Sequence, residues 1–433
     1  MLIIKLKRIS IFLIESIFLI LLIFSCEDVN LSVDSSKPVI NSINPPSGAP
    51  GIKITINGSG FGSSQGSSLV SIGGINAGVA ISWSDTAITI RVPASVPVGD
   101  NAVKVNVNGK ESNQLIFKAT QYILITNTDS NNLTVFDPQS MSQIPGSPFS
   151  IGAGSNSPRG ICFDRNNNRI YIANSSSNNL SVLDGSSFTP ISGSPFLTGG
   201  LSPIDVAYDP DRNRIYVINK VSNNLSAFDA ATLTQLTWSP LGLDGSGPVS
   251  IAYDGLNKRI YIANENSNNM SVLSTLIDPP VLLSGSPLPA GNTPSHILYI
   301  QSRNRIIISN RGSNNITVYD ASTLTQIAGS PFTAGTSPSS TEYDQDSNRI
   351  YITNSSTSLL TVLDASTFIE IPGTPVSVGN GPEGVLYLSS KNQIYVVNSN
   401  SNDFTVLKAS DFSAVSGSPF AAGTTPSKII LEK

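Results

Sequence analysis

The chain has 433 residues, 12% of them charged, with 25 Lys and Arg against 29 Asp and Glu. A net charge of −4, a single His and two Cys argue against a broad nucleic-acid surface and leave no disulfide framework or Cys-based zinc centre. Abundant Gly, Ser, Asn and Pro, with no long amphipathic helical pattern after residue 30, predict an all-β chain of short strands and turns.

The first 26 residues, "MLIIKLKRISIFLIESIFLILLIFSC", begin with Lys5, Lys7 and Arg8 and continue into an apolar run at 16–24. This is the charged region and apolar core of a secretory signal, predicted over residues 1–25. The run is short for a membrane-spanning helix, and Glu15 stands at its upstream edge. Its end, "LIFSC", resembles a bacterial lipobox, with the small Ser25 before Cys26; Phe24 departs from the smaller residue many lipoboxes carry. The resemblance implies cleavage before Cys26 and lipid attached to its thiol. It also implies an exported lipoprotein held at a membrane, at the outer membrane or cell surface. Residues 1–25 carry a net +2, so the mature chain has a charge of about −6. Residues 26–37 are then the lipidated Cys and a polar, aperiodic tether.

Residues 38–119 alternate β-rich runs with turns, among them "KITI", "AITIRV" and "AVKVNV". Val103, Val105 and Val107 share one face at period two, and turn signals recur at the spacing of a β-sandwich. The segment "INSINPPSGAPGIKITINGSGFG" (40–62), continued by "VSIGGINAGVAISWSDTAITIRVP" (70–93), resembles IPT/TIG domains. That implies an immunoglobulin-like fold serving as spacer or interaction module. Two catalytic spellings here are set aside. Gly58, Gly60 and Gly62 precede a turn instead of the helix a dinucleotide loop needs. Gly62–Gly66 spells a nucleophile elbow but has no His in the same domain.

From residue 121 to 433 the chain repeats. A marker Asn falls at 127, 174, 219, 264, 310, 354 and 398, and a marker Pro at 158, 203, 248, 294, 338, 382 and 426. Spacings near 45 residues, each holding four strand-like runs, predict propeller blades. In one unit the strands are read at 203–209, 215–219, 225–229 and 233–240. The first repeat starts at its second strand and the chain stops after a lone inner strand at 426–433. Seven blades are therefore expected, one of them closed by N- and C-terminal strands. "RIYIANSSSNNLSVLD" (169–184) resembles the repeat of YVTN-type seven-bladed propellers, which occur in surface proteins, binding proteins and lactonase-like enzymes.

The repeated polar residues read as structural. Ser-Asn-Asn triplets suit turns with left-handed backbone. Asp209 and Asp344 open runs with the spacing of early calcium ligands, but Arg214 and Arg349 stand where the loop needs Gly, so a capped turn is expected and no metal site. Arg169, Arg214, Arg259, Arg305 and Arg349 are expected to pair with turn carboxylates such as Asp209. Functional residues are sought instead where the repeat breaks into charge: Arg159, Asp205, Lys220, Glu265, His296, Arg311, Glu383 and Lys428. Five of these, Arg159, Asp205, His296, Glu383 and Lys428, follow the marker Pro by one or two positions and are predicted to ring the channel mouth as a ligand site. Mixed signs favour a polar ligand, carbohydrate or protein, over a strongly anionic one, with no nucleic acid and no cofactor. No catalytic set is visible. The leading expectation is a lipid-anchored, non-enzymatic envelope protein with the propeller as binding platform. The alternatives are a lactonase-like hydrolase using His296 and Glu383, or a purely structural envelope component.

Overall fold

The computed structural model describes residues 37–432. The expected signal, Cys26 and nearly all of the tether lie outside the described residues. Residues 37–432 form an all-β chain, an immunoglobulin-like sandwich and then a seven-bladed propeller.

In the sandwich, one sheet pairs Val39–Asn44, Lys53–Ser59, Ala87–Arg91 and Ser82–Trp83. The facing sheet is built on Gly99–Val107, flanked by Leu115–Ala119 and Leu69–Ile72. Alternation sends Ile54, Ile56, Ile88, Ile90, Val103 and Val105 inward, where they are buried with Phe61 and Phe117. Val107, predicted on the same face, is only partly buried at the core's edge.

Each blade is a four- or five-stranded antiparallel sheet. Blades are numbered by their second strand. Blade 1 joins Ile123–Asn127 and Asn132–Asp137 to Pro426–Leu431, which supplies its inner strand from the far end of the chain. Blades 2 to 7 open with inner strands Pro158–Asp164, Pro203–Asp209, Pro248–Asp254, Pro294–Ile300, Pro338–Asp344 and Pro382–Leu388. The second strands are buried on both faces, which explains their unbroken apolar runs. Tyr171, Tyr216, Tyr261, Tyr351 and Tyr395 are wholly buried between blades, each contributing roughly 2–3 kcal/mol of apolar burial.

The repeated polar residues are the fasteners of this ring. Asn131, Asn178, Asn223, Asn268 and Asn314 have φ between 50° and 57°. Each side-chain oxygen accepts the backbone N–H of the connection entering the next blade, as Asn178 does from Ser202 at 2.7 Å. The marker Asn residues are buried and donate across their own turn, Asn174 to Asn179 and to Ser181 at 2.8 Å. The Ser before the Pro of the "GSP" runs, and of "WSP" in blade 3, accepts a third-strand N–H: Ser147, Ser194, Ser239, Ser286, Ser330 and Ser418 all do so.

Two expectations are corrected. The run 233–240 is not a strand: Gln235 makes one bridge to Phe228, and the outer strand is only Leu241–Gly242. Ser239 replaces the missing ladder bond with its hydroxyl, and Pro240 has no N–H to donate. The repeated Arg residues do not pair with Asp209, which caps its own turn by accepting from Asp211 and Arg212. Arg214 and Arg305 do meet turn carboxylates, but these are Asp229 and Asp320, which cap the turns after the third strands. Arg169, Arg259 and Arg349 donate to the Ala230, Ala321 and Ala409 carbonyls.

The sandwich meets the propeller at the turn between the inner and second strands of blade 2 and at the turn after its third strand. Phe163 packs on the sandwich core, Arg91 donates to Asn166, and Ser186 donates to the Ser47 carbonyl at 3.0 Å. These turns lie at the end of the blades opposite the Ser-Asn-Asn turns.

Candidate functional site

Every inner strand enters from the Ser-Asn-Asn side through its marker Pro. Successive residues of a regular strand point to opposite faces. Here the register slips just after each Pro: Pro203 faces Asn219, but Asp205 faces Ile218, leaving Ile204 as the bulged residue. The same irregularity occurs in every blade. A bulge re-aims side chains, so both residues after the Pro line the channel mouth. The first tier, in ring order, is Ser427, Arg159, Ile204, Val249, Ser295, Ser339 and Glu383; the second includes Lys428, Gly160, Asp205, Ser250, His296 and Ser340. Together with Arg311 they enclose a cavity of about 120 Å³.

All five residues predicted at the mouth line this cavity. Arg311 joins them from the turn after the second strand of blade 5, although it is not adjacent to a marker Pro. Lys220 and Glu265 are not among the lining residues; they form an ion pair with each other between blades 3 and 4.

The second tier is wired from blade to blade. Asp205 accepts from Ser250 Oγ at 3.2 Å and the Ile251 N–H at 3.3 Å. Ser250 Oγ accepts the Ile297 N–H at 3.3 Å, and His296 Nδ1 accepts the Thr341 N–H at 3.2 Å. Gly160 leaves the space between Lys428 and Asp205: a Cβ there would stand 2.4 Å from Asp205. Lys428 Nζ reaches across to Asp205 Oδ2 at 3.5 Å. With Nδ1 engaged as acceptor, the neutral His296 ring carries its proton on Nε2. Burial, reinforced by the Lys428 charge, holds its pKa well below the usual value, so the ring is neutral at pH 7.

The first tier carries the chemistry. Glu383 accepts from Arg311 Nη2 at 3.0 Å. Burial raises its carboxyl pKa, opposed by the Arg311 and Arg159 charges. Arg159 is exposed; its carbonyl accepts from Thr126 Oγ1 at 2.7 Å, while its guanidinium makes no hydrogen bond or ion pair with the described residues and acts on Glu383 through its charge. Two internal ion pairs thus leave one cation, Arg159, at the mouth of an acidic protein. A second cavity, of about 240 Å³, shares His296, Ser340 and Lys428 and continues along the inner strands past Tyr253 and Tyr299. These three residues form the waist between the cavities.

Residues 114–280 match the family described as Lactonase, 7-bladed beta-propeller. Residues 38–124 match the IPT/TIG domain family. The lactonase match covers Arg159 and Asp205 but ends before His296, Arg311, Glu383 and Lys428. Among solved structures, a candidate 6-phosphogluconolactonase from Bacteroides uniformis is 14% identical with a TM-score of 0.60; the likeness covers 72% of this chain and 99% of that one. The periplasmic gluconolactonase of Pseudomonas aeruginosa is 14% identical with a TM-score of 0.57, over 72% of this chain and 99% of that chain. At this identity the likeness shows a shared fold. A cyclomaltodextrin glucanotransferase from Bacillus sp. (strain 6.6.3) is 41% identical over 78 residues, 18% of this chain and 11% of that protein. The match thus spans about a tenth of that curated relative's length. Among the described residues, no three or more His, Cys, Asp and Glu gather as metal ligands would.

Proposed function

We propose that the channel mouth of this lactonase-type propeller binds a small polar ester and hydrolyses it, with a lactone as the substrate class. The observation that carries the reading is the convergence of Arg159, His296, Arg311 and Glu383 on one cavity, from blades whose counterparts are mostly Ser, Gly or apolar. The family match over 114–280 supports the same reading. Glu383 is the general base: its raised pKa makes it a better proton acceptor than an ordinary carboxylate. It takes a proton from a water that attacks the acyl carbon. The ester C–O bond breaks, the proton passes to the departing ring oxygen, and the product is a hydroxycarboxylate. The His296 Nε2–H and the Arg159 guanidinium supply positive density for the oxyanion and the product carboxylate.

The test is a pH-stat screen of γ- and δ-lactones. Saturable turnover is expected, with Glu383→Gln lowering kcat by about 10²-fold or more while the fold is retained. Turnover unchanged in Glu383→Gln would remove the assignment.

A second reading, the non-enzymatic binding platform, is favoured by one observation. Both mouth carboxylates already sit in ion pairs, Glu383 with Arg311 and Asp205 with Lys428, an arrangement suited to holding a ligand without reaction. It predicts saturable binding with no turnover, whereas a purely structural component predicts neither. We also propose that the chain is exported and carried at a membrane by lipid on Cys26, on the strength of the sequence at 1–26. Cys26→Ser is expected to move the protein from the membrane to the soluble fraction; unchanged fractionation would rule the anchor out.

A further inference from the structure

The mouth is not only charged. Blades 3 and 4 put Ile204 and Val249 in the first tier, where every other blade has Ser, Arg or Glu. In the seven-membered ring, Glu383 of blade 7 stands directly opposite this pair. The apolar arc continues outward. Leu201 and Val221 lie side by side, the Val221 N–H donating to the Leu201 carbonyl at 3.2 Å, and they are 52% and 63% exposed. At the positions of Leu201 and Val221 the other six blades carry only polar residues or Gly. Leu197, 74% exposed, begins the connection that passes through Leu201 to Ile204. The exposed apolar departures on this face, Leu197, Leu201 and Val221, thus fall on one path from the outer edge of blade 2 towards the mouth.

Above the waist of His296, Ser340 and Lys428 the mouth holds only about 120 Å³, against the roughly 300–1,000 Å³ of sites that swallow a drug-sized molecule. A ligand with its head in the cavity must lay the rest of itself on the rim. On one side the rim is apolar, and the unpaired Arg159 sits at the head.

We infer that the ligand is an amphiphile: a lactone, or the carboxylate formed when it opens, bearing a linear alkyl chain that lies over Ile204, Leu201 and Val221. This rests on the channel mouth being the ligand site and names the substrate class of that site. The alkyl chain binds by burial against the apolar arc, and the head by Arg159. Affinity therefore rises with chain length, by about twofold to fourfold per methylene, the upper figure being full burial.

The experiment is calorimetric titration of the full chain with butyrate, hexanoate, octanoate and decanoate, alongside kcat/KM for γ-lactones with alkyl chains of the same lengths. Wild-type affinity is expected to climb with each methylene. Leu201→Asn with Val221→Ser, residue types found at these exposed positions in other blades, is expected to flatten the climb. Arg159→Gln should lower affinity for every alkanoate by about the same factor and leave the climb in place. A flat wild-type series overturns the inference, as does a climb of equal slope in the double variant. If alkanoates climb as expected and no lactone is hydrolysed, the alkyl track stands and the hydrolytic reading of the site falls.

Discussion

Glu432 offers a test of how blade 1 is closed. It follows the closing strand, and its Oε2 accepts from Thr120 Oγ1 at 3.3 Å and from the Tyr122 N–H at 3.2 Å. Its Oε1 is buried with no partner among the described residues. Burial pushes its carboxyl from the ordinary 4.5 up to about 8, against the lowering effect of those two hydrogen bonds. Such a raised acid is protonated in the folded chain and ionised in the unfolded one between these values. Stability therefore falls as pH rises across that window, at about 1.4 kcal/mol per pH unit. The loss is on the order of 3 kcal/mol at pH 7 and 5 kcal/mol above pH 8. Glu432→Gln keeps an acceptor and has no charge to bury. Its propeller should melt within a degree or two of wild type at pH 4.5 and several degrees higher at pH 8.5. Thermal unfolding followed by circular dichroism across that range reads the difference. Parallel curves at all pH values would show that the carboxylate is solvated or compensated, and would refute the reasoning.

Three further outcomes are expected. Deleting 427–433 strips the inner strand from blade 1 and should lower the melting temperature of the whole propeller; an unchanged melt would contradict the assigned closure. Asn178→Ala puts a less tolerant residue at φ 56° and frees the Ser202 N–H, costing about 1–3 kcal/mol in urea unfolding. His296, with its pKa held down, should show neutral-imidazole carbon shifts by NMR at pH 6. It should also subtract from stability as pH falls below 6.5, because the unfolded ring takes up a proton the folded one resists.

The sequence was legible where one rule acted seven times. The marker Asn and Pro residues gave the blade count and the seam at Ile123–Asn127, because each position is held by the same hydrogen bonds in successive blades. The mouth was legible for a related reason: Arg159, Asp205, His296, Glu383 and Lys428 stand out at positions where most other blades carry uncharged residues. What could not be read was pairing across blades. Nothing local indicates that Arg311 reaches Glu383 past an intervening blade, or that Gly160 opens the way for Lys428 to Asp205. The outer strand at 233–240 was misread because Leu233, Leu236 and Trp238 mark packing; the run bonds the third strand only around Gln235, and beyond it a Ser hydroxyl takes the next N–H. Ile204 and Val249 were visible as departures but are apolar, and apolar residues in a strand look like core until their tier is known.

The seam in blade 1 also sets the order in which the protein can be built. Thr126 and Lys428, bonded in that blade, are 302 positions apart, whereas the other blades are each made from contiguous chain. Bringing ends so distant together costs about 5 kcal/mol of loop-closure entropy, far more than a hairpin asks. Six blades can therefore assemble as the chain emerges, but the strand Ile123–Asn127 waits with one edge unpaired until Pro426–Leu431 arrives. During that interval it is an apolar edge open to any passing strand, including the same strand of another copy. The closing strand Pro426–Leu431 thus shields the edge of Ile123–Asn127 as well as completing blade 1.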